Sequence, residues 1–328
     1  MNRGKKGSIL LYVVWMVLLL SVFAAGIGSR AHAALDLSDR LLSQLRARYI
    51  ARGAVQYAAR LLQLDPSPSA DTLSEPWGNA PMLFRQHPLV SGGFIVRGRR
   101  GGASAPNGVI DEDRRLNLNV AAADTLARLI EQTGGIPRED ARQIVEAIED
   151  WRDADSDERS FGAEDYYYRS LSDAYDCKDA PFQNIEELRL IRGMTPDLYQ
   201  RLEPYVTVYG SGRVNLNTAE RPVLEALGLS ASGVASLLAF RTGEDSTEAS
   251  GDERRLVSVV TLQDELRPYL TAEDLHQLAV LAQQNLIGTA SEAIRLTVDV
   301  EEDQHPASRV RLAAVIDRQG HMKLWSER

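Results

Sequence analysis

An apolar run near the N-terminus limits the possible folds of this chain more than any other feature. The nineteen residues from Ile9 to Ile27 contain no charged side chain. As an α-helix, a run of that length spans about 28 Å, close to the roughly 30 Å hydrocarbon core of a bilayer. Arg3, Lys5 and Lys6 precede it. The positive-inside rule therefore places the first six residues in the cytoplasm and the rest outside it, as expected for a single-pass membrane anchor.

Two other interpretations of this segment start from its flanks. A cleavable secretory signal peptide would use the basic start, the apolar run and Ala31-His32-Ala33, which has the small-x-small form of a cleavage site. The apolar stretch of such signals is usually shorter, about 7–15 residues. A basic leader that ends at Gly7, directly before the apolar helix, resembles instead that of a type IV prepilin. Cleavage after Gly7 would keep the helix and make Ser8 the new N-terminus. These residues alone leave the alternatives open.

The helical pattern continues beyond the apolar run. Apolar residues recur near helical spacing from Leu35 to Leu64, with arginines between them, until Asp65-Pro66 ends the pattern. A membrane helix that continues without a proline into an amphipathic helix is the architecture of a pilin, with one half in lipid and the other packed on a sheet. Since a signal peptide does not need such a continuation, the pattern favours the prepilin interpretation.

Period-two alternation of apolar and polar residues predicts strands after a long helical region, at Ala293–Val300, Arg309–Ile316 and His321–Trp325. Before that region, Gly93–Arg97 is a short strand candidate and Val109-Ile110 is a strand-like piece that leads into it. The three closing strands and the Gly93–Arg97 strand together predict one antiparallel sheet. We expect an α+β fold, in which a type IV pilin-like domain (a long N-terminal helix plus this sheet) is interrupted by a large inserted all-α domain. The predicted bounds are 1–7 for the leader, 8–28 for the transmembrane helix, 29–64 for the periplasmic half of the helix, 65–114 and 286–328 for the β domain, and 115–285 for the insertion.

The predicted insertion contains an internal repeat. The segment Arg115–Ala121 (RLNLNVA) recurs as Arg213–Ala219 (RVNLNTA), and a helical pattern follows each copy. Asn119 and Asn217 stand where an N-cap is expected. Short helices joined by glycine-containing turns indicate helix-hairpin-helix-like units.

Helix-hairpin-helix units often bind DNA phosphates, so a nucleic-acid function has to be weighed. The hairpin Gly228–Ala231 lacks the second glycine that phosphate-binding hairpins use. The chain has 46 acidic and 37 basic residues, which give a net charge of −9. A general nucleic-acid binder needs surplus cations to displace counterions from phosphates. We therefore expect the repeats to be a packing scaffold and expect no nucleic-acid partner. The alternative function is a signal-peptide-exported periplasmic DNA-binding protein.

An acidic loop from Trp151 to Asp165 is the best candidate for ion chemistry. Four of its carboxylates occupy positions 1, 3, 5 and 12 of an EF-hand loop, whereas position 6 is Glu158 in place of glycine. The spacing predicts calcium, with a solvated loop paired with Arg152 and Arg159 as the alternative. The four carboxylates are Asp153, Asp155, Asp157 and Glu164, and the residues that complete this site or make a second one are Asp165, Asp173, Asp176 and Asp179.

Catalytic motifs are missing from the sequence. It contains no phosphate-binding loop ending in Lys-Ser/Thr, no HExxH and no GxSxG. Cys177 is the single cysteine, which excludes an internal disulfide framework and a cysteine-based zinc site. With no histidine near it in sequence, it is interpreted as a free thiol in a loop. We expect no enzymatic activity.

Taken in order, the segments of this chain resemble the minor pseudopilin K family of the bacterial type II (general) secretion pathway. The resemblance covers nearly the whole chain, although some members have a cysteine pair where this chain has one cysteine. It is carried by the Gly7 junction and apolar helix, Asn117–Asn119, Asn215–Asn217, Asp150–Asp155, Gly162–Asp165 with Tyr166–Tyr168, Ala180–Phe182, Glu186–Leu188, Gly193–Pro196 and Pro204–Val208.

The resemblance implies a place and a set of partners. It implies an inner-membrane protein with a cytoplasmic N-terminus and a periplasmic bulk, cleaved by prepilin peptidase between Gly7 and Ser8 and methylated there. It implies calcium in the insertion, and a complex with the minor pseudopilins I and J at the tip of a short periplasmic pseudopilus. There the protein would nucleate or cap the fibre that helps export folded proteins across the outer membrane.

One position gives the tip location a physical reason. In major pilins the fifth mature residue is a glutamate that neutralises the charged N-terminus of a neighbouring subunit inside the lipid. Counting from Ser8, that position is Tyr12 here. An unpaired charge in hydrocarbon costs at least several kcal/mol. A chain without the carboxylate is therefore poorly suited to stack beneath another subunit, and a bulky inserted domain would clash with a subunit above it.

Overall fold

The computed structural model describes residues 6–78, 84, 93–97, 108–243, 254–301 and 310–327. Positions 1–5 of the predicted leader and the segments 98–107 and 244–253 lie outside the described residues. The strands are β1 Gly93–Arg97, β2 Ile110–Asp111, β3 Leu116–Asn117, β4 Val206–Thr207, β5 Val214–Asn215, β6 Ile287–Gly288, β7 Ala293–Glu301, β8 Val310–Asp317 and β9 Met322–Glu327.

The helices divide into one long N-terminal helix and a series of short ones. They are α1 Lys6–Gln63, α2 Ala123–Gly134, α3 Arg138–Arg152, α4 Asp165–Arg169, α5 Pro196–Leu202, α6 Arg221–Ala226, α7 Ala231–Thr242, α8 Leu262–Leu266 and α9 Ala272–Gln283. Two short 3-10 helices, Ile185–Leu190 and Glu203–Tyr205, precede and follow α5.

Helix α1 is continuous, and its two halves have different surroundings. The large apolar side chains between Ile9 and Ile27 are 51–73% exposed. Near the other end of the helix, Ala47, Ala51 and Ala58 are fully buried in the core shared with the sheet. Because an alanine side chain is a single methyl group, this stripe of small residues lets the helix backbone lie close to the strands.

The buried face of α1 begins later than the sequence pattern indicates. Leu35, Leu42, Leu45 and Tyr49 continue the apolar spacing, yet their side chains are 48–68% exposed. Burial along the helix starts only at Ser43, because the sheet does not reach farther towards the N-terminus. The expected packing of 35–64 on a sheet is therefore confirmed for the second part of that segment and wrong for the first.

An antiparallel sheet forms the layer that packs on α1. Its order is β1-β7-β8-β9, and β2 also pairs with β7. Alternate residues of the central strands point at the helix, among them Leu296, Val298, Leu312 and Ala314, all fully buried. The structure thus confirms the predicted arrangement of an early strand with three C-terminal strands in one sheet.

The segment between β2 and β7 forms a separate helical unit. Its hydrophobic core runs from Leu116 to Ile287, whereas the core of the helix-on-sheet layer draws on residues between Ala47 and Ile316 outside that range. The predicted α+β fold, with a long helix and an antiparallel sheet interrupted by a helical insertion, is confirmed.

The repeated sequence motif forms the same structure twice. Strand β3 pairs in parallel with β4, and β5 pairs in parallel with β6. Each copy therefore begins and ends with neighbouring two-residue strands, and its helices lie between them in the chain. The insertion, expected to be all helical, contains these short strands because each Asn-Leu-Asn segment needs backbone partners that its own neighbourhood in sequence does not supply.

The predicted N-caps Asn119 and Asn217 are wrong. In both copies the helix N-cap lies three residues farther on. Asn119 instead accepts the N–H of Phe182 at 2.7 Å and donates to its carbonyl at 3.0 Å. Asn217 makes the same pair of bonds with Leu256, at 2.8 and 2.9 Å. Each side-chain amide thus substitutes for a backbone strand and ties a distant segment to its copy of the repeat.

Candidate functional site

The predicted processing and membrane residues lie at the start of α1. Gly7 and Ser8 belong to its first turns, and the side chain of Tyr12 is 73% exposed. Within the described part of the chain, a single helix, Ile9–Gln63, is long and apolar enough to cross a membrane. Its apolar part is not buried inside the protein. The geometry is therefore compatible with an anchor whose side chains meet lipid.

One arginine, Arg159, joins the acidic loop to the C-terminal end of α3 through ion pairs. Arg159 is paired with Asp153 at 2.6 Å and with the fully buried Asp150 at 2.5 Å, and Glu149 lies 3.4 Å away. Bonds to these carboxylates raise the pKa of the Arg159 guanidinium, against the opposing effect of its desolvation. Arg152 donates to the carbonyl oxygens of Leu118 and Ala121. The predicted pairing of the loop with its two arginines holds only for Arg159.

A different set of side chains converges beside this loop. Ligand atoms of Glu164, Cys177 and Asp179 all lie within 4.8 Å of one another. Glu164 is only 4% exposed, and its buried carboxylate oxygens face the weakly donating Cys177 thiol. One oxygen of Asp179 and one of Asp153 are buried and lack a described partner. Asp179 also has a left-handed backbone, with φ of 48°.

The cluster of Glu164, Cys177 and Asp179 contains two carboxyl groups and no basic side chain. Burial raises the pKa of Glu164 to about 7 against the opposing effect of a hydrogen bond with the Cys177 thiol, and the negative charges of Asp179, Asp150 and Asp153 act in the same direction as burial. Burial of an unpaired carboxylate is costly unless a proton or a cation compensates it. Carboxylate oxygens are the ligands that hard divalent cations such as Ca²⁺ prefer. The residues present therefore fit a divalent cation.

Cys177 closes one side of the cluster. Its side chain is buried, with Sγ 3.8 Å from the carbonyl oxygens of Asp150 and Ala163. Its backbone N–H donates to Asp165 at 2.9 Å. Burial, together with the nearby carboxylates, raises the pKa of the thiol. Cys177 is a free thiol in a loop, as predicted, but the sequence did not place it beside Glu164, because the two residues meet only when the loop folds.

Most of the ligands predicted from spacing face elsewhere. Asp155 and Asp157 are exposed, and an oxygen of Asp155 accepts the N–H of Asp157 at 3.0 Å. Asp165 and Asp176 both pair with Arg169, at 2.7 and 2.6 Å. These carboxylates do not converge as in an EF-hand, for which glycine at position 6 allows the sharp turn. Of the predicted ligands, Glu164 and Asp179 belong to the cluster, Asp153 pairs with Arg159 and keeps one buried oxygen without a described partner, and Asp173 is exposed.

A second acidic group faces arginines of the same chain. Ligand atoms of Asp65, Asp71 and Glu75 also lie within 4.8 Å of one another. Arg318 pairs with both Asp65 and Asp71, and Arg255 lies 3.9 Å from Glu75. Since two guanidinium groups face these carboxylates, this group is better described as an ion-pair network between the helix end and the sheet.

In the second helix-hairpin-helix unit, a carboxylate of the chain lies at the position where DNA-binding hairpins bind a phosphate. Asp274 accepts the N–H of Ser230 at 2.8 Å and its hydroxyl at 2.9 Å, at the N-terminus of α7. A Cβ at Gly233 would lie 2.5 Å from the same carboxylate. The anion position of this hairpin is therefore occupied by the chain itself, which agrees with the prediction of a packing scaffold.

Comparison with known proteins gives a consistent result. Residues 107–211 match the family profile described as Type II secretion system (T2SS), protein K. The type II secretion system protein K of Klebsiella pneumoniae is 32% identical over 237 residues, which cover 67% of this chain and 68% of that protein. The type II secretion system protein K of Pectobacterium carotovorum subsp. carotovorum is 30% identical over 240 residues, covering 69% of this chain and 71% of that protein.

A solved structure shares the fold. The crystal structure of the GspK-GspI-GspJ complex from the enterotoxigenic Escherichia coli type 2 secretion system contains a chain that superposes with a TM-score of 0.64. The match has 20% sequence identity and covers 91% of this chain and 99% of that chain. At this level of identity the likeness concerns the fold, and it supports the long helix, the sheet and the insertion described above.

Proposed function

Because this chain belongs to the type II secretion system protein K family, and is thus a minor pseudopilin, we propose that it stands at the tip of the pseudopilus. There it nucleates or caps the fibre that helps export folded proteins across the outer membrane. The observation that carries this proposal is the architecture of α1, with exposed apolar side chains from Ile9 to Ile27 and a buried alanine stripe from Ala47 to Ala58. One continuous helix thereby joins a lipid-compatible segment to the folded domain.

Two features support a place at the tip in particular. Tyr12, the fifth residue after Gly7, offers no carboxylate to neutralise the N-terminus of a neighbouring subunit in lipid. The insertion between β2 and β7 adds a second folded unit to the helix-on-sheet domain. Both features hinder another subunit from stacking above this one in the fibre. Subunits can still pack below it.

Membership of the protein K family indicates which proteins this chain binds at the tip. The solved relative is complexed with GspI and GspJ, and we propose the corresponding minor pseudopilins I and J as partners of this chain. The exposed leucines between Leu35 and Leu45 lie on the part of α1 that the sheet leaves uncovered, where helices of such partners can pack. The relatives are named as secretion-system components, and we propose a structural role without catalysis.

Processing and orientation form the second part of the proposal. Prepilin peptidase cuts between Gly7 and Ser8, the new N-terminus is methylated, and α1 holds the protein in the inner membrane with its bulk in the periplasm. The test is the intact mass and N-terminal residue of the chain recovered from membranes. We expect a membrane-bound chain that begins at methylated Ser8. A soluble chain that begins near Ala34 would instead indicate signal-peptide export, and the filament role would be lost.

The third part of the proposal is that the cluster beside the acidic loop binds calcium. Glu164 and Asp179 are the residues that would hold the ion, and the ion would supply the positive charge that these two carboxylates lack. The EF-hand spacing predicts a different set of calcium ligands, which includes the exposed Asp155. We expect Ca²⁺ to raise the melting temperature of the full chain in detergent, and E164Q to abolish the rise while D155N retains it. Loss of the rise in D155N and its persistence in E164Q would favour the EF-hand set.

The DNA-binding alternative gains no support. Asp274 occupies the anion position of the second hairpin, and the net charge is −9. A binding assay with duplex DNA at physiological salt tests this directly. Saturable binding below micromolar concentration would revive the alternative, because non-specific contacts at that salt are about 10⁻⁴–10⁻⁶ M.

A further inference from the structure

We propose that Asp111 and Asp113 form a pH-sensitive connection between the sheet and the insertion, which is closed while the pair keeps one proton and opens more often when both carboxyl groups are ionised. Both residues lie in the short segment that leads from β2 into β3, the first strand of the insertion. Asp111 is fully buried, and Asp113 is 2% exposed. The inference is independent of the cation site proposed above and concerns motion between the two folded units.

Asp113 contacts both units at once. Its carboxyl group accepts the backbone N–H of Glu292 at 2.5 Å and that of Ala293 at 3.3 Å, at the start of β7. On its other side lies the turn between β4 and β5, where a Cβ at Gly210 would overlap the same carboxyl group. The backbone carbonyl of Asp113 also accepts the N–H of Asn215 in β5 at 2.8 Å. Asp113 therefore joins the sheet to the strand that begins the second repeat.

Asp111 extends the same connection. One of its carboxyl oxygens accepts the side-chain amide of Asn215 at 2.9 Å and the hydroxyl of Thr218 at 2.5 Å. The other oxygen accepts the backbone N–H of Asp113 at 2.8 Å. Because the backbone of Asp111 pairs with Ile294 in the sheet, these bonds fix the second repeat to the sheet.

The charged groups around the pair favour retention of a proton. The carboxyl groups that face the pair are those of Asp71 and Glu292. The described ion pairs join the arginines of this region to other carboxylates: Arg114 to Glu220, Arg213 to Glu292, and Arg318 to Asp65 and Asp71. Two neighbouring carboxyl groups that are buried in this way do not ionise together without a cost in free energy.

Among the described residues, Glu112 has the counter-charges that Asp111 and Asp113 lack. Its fully buried carboxyl group is paired with Arg115 at 3.2 Å and with Arg295 at 2.5 Å. Although desolvation raises the pKa of this group, the charges of the two arginines outweigh that effect and lower the pKa. The pH response of the segment therefore belongs to the two aspartates.

The direction of the response follows from the pKa of each aspartate. Burial raises the pKa of Asp113 to about 8, the charges of Asp111 and Glu292 act in the same direction, and the two backbone N–H groups oppose them. Burial also raises the pKa of Asp111, against hydrogen bonds from neighbouring polar side chains and the charge of Arg114. Closure is therefore most favourable below the ordinary pKa of 3.8. It loses up to about tenfold in its equilibrium constant for each pH unit up to about 8.

Hydrogen exchange of the full chain in detergent and chelator, followed by mass spectrometry, tests this connection. Protection factors are compared at pH 5.5 and pH 7.5, because they are corrected for the pH dependence of chemical exchange. We expect segments 208–216 and 290–293 to be less protected than α2 and β8 at both pH values. Their protection should fall at least about tenfold between pH 5.5 and pH 7.5.

Two variants identify the titrating group. The fall should be at least about threefold smaller in D113N, because an amide does not titrate while Asp71 still does. D264N, at an exposed carboxylate of α8, should behave as wild type. Equal falls in wild type and D113N would overturn the inference. Equal protection of these segments and of α2 and β8 would also overturn it, because the connection would then open only on global unfolding. D111N replaces D113N where that variant does not fold, with the same criteria.

Discussion

The guanidinium group of Arg241 donates to the carbonyl oxygen of Ala219 at 2.6 Å. The first copy of the repeat contains the same contact, in which Arg152 donates to the carbonyl of Ala121 at 3.2 Å. In both copies an arginine at the end of the second helix binds the segment that follows the first strand. This contact fixes each helix pair onto its strand, and it defines the insertion as two copies of one unit.

Removal of this contact should destabilise the insertion. Arg241 is 6% exposed, so R241A leaves a buried carbonyl oxygen without its charged donor. We expect a loss of about 1.5–3 kcal/mol in the free energy of unfolding, measured by urea titration of the full chain in detergent. R142A, at a side chain that is 53% exposed, should change it by no more than about 0.5 kcal/mol. Equal effects of the two variants would contradict the anchoring role.

Gly162 should not tolerate a methyl group. A Cβ at this position would lie 1.8 Å from a carboxylate oxygen of Asp150, which is itself held by Arg159. We expect G162A to destabilise the chain by about 1–3 kcal/mol through overpacking. The matched control is G53A in α1, where an added Cβ meets no described atom within 4 Å. That variant should gain about 0.5–1 kcal/mol from helix propensity, and a loss of the same size in both would exclude the steric explanation.

Asp274 should stabilise the N-terminus of α7. Hydrogen bonds from Ser230 and Thr271 lower the pKa of its carboxyl group although desolvation opposes them. Because the folded-state pKa is lowered, the stabilisation is present at neutral pH and is lost as the pH falls below the ordinary value of about 4. We expect D274A to cost about 1–3 kcal/mol at pH 7. The exposed D264A should have little effect, and an equal cost for both would contradict the capping role.

The buried carboxyl of Asp71 should make stability fall as the pH rises. Burial raises its pKa to about 7, although the Ser291 N–H and the Arg318 guanidinium oppose the shift and the charges of Asp111 and Glu75 reinforce it. The folded chain therefore keeps a proton that the unfolded chain has released. That stabilisation is complete below the unfolded pKa of 3.8 and is lost as the pH rises through about 7.

Thermal unfolding in chelator tests this dependence. We expect the melting temperature of the wild type to fall between about pH 5 and pH 8, and D71N to show a shallower fall because its amide does not titrate. The slope is the readout, since loss of the pair with Arg318 also lowers the overall stability of the variant. Equally steep falls in both proteins would rule out Asp71 as the titrating group.

Local patterns were sufficient for much of the backbone. Periodicity in the sequence predicts a helix at Pro196–Leu202, and this helix and the predicted strand Gly93–Arg97 have the bounds seen in the structure. Thr195 caps that helix and proline occupies its first turn, while the strand is a short apolar run, Phe94 to Val96, between Gly93 and Arg97. The order of short motifs along the chain was sufficient for the resemblance to the protein K family, which the comparisons confirm.

The candidate site was predicted less completely. The sequence drew attention to the acidic loop and to Glu164, but it assigned the loop an EF-hand geometry and left Cys177 aside. Asp179 was considered only as a supplementary ligand. A spacing rule compares residues along one stretch of chain, whereas this cluster brings together residues from both sides of helix α4. Nothing in the local sequence states which carboxylates an arginine such as Arg159 will neutralise.

The amino-acid sequence by itself determined the apolar run, the periods of the helices and strands, and the family, because each depends on the order of neighbouring residues. Tertiary structure decided the partners of Asn119 and Asn217, the two strand pairs that close the repeats, and the convergence of Glu164, Cys177 and Asp179. These contacts join segments that are distant in sequence, so they form only when packing of the helical core brings the segments together.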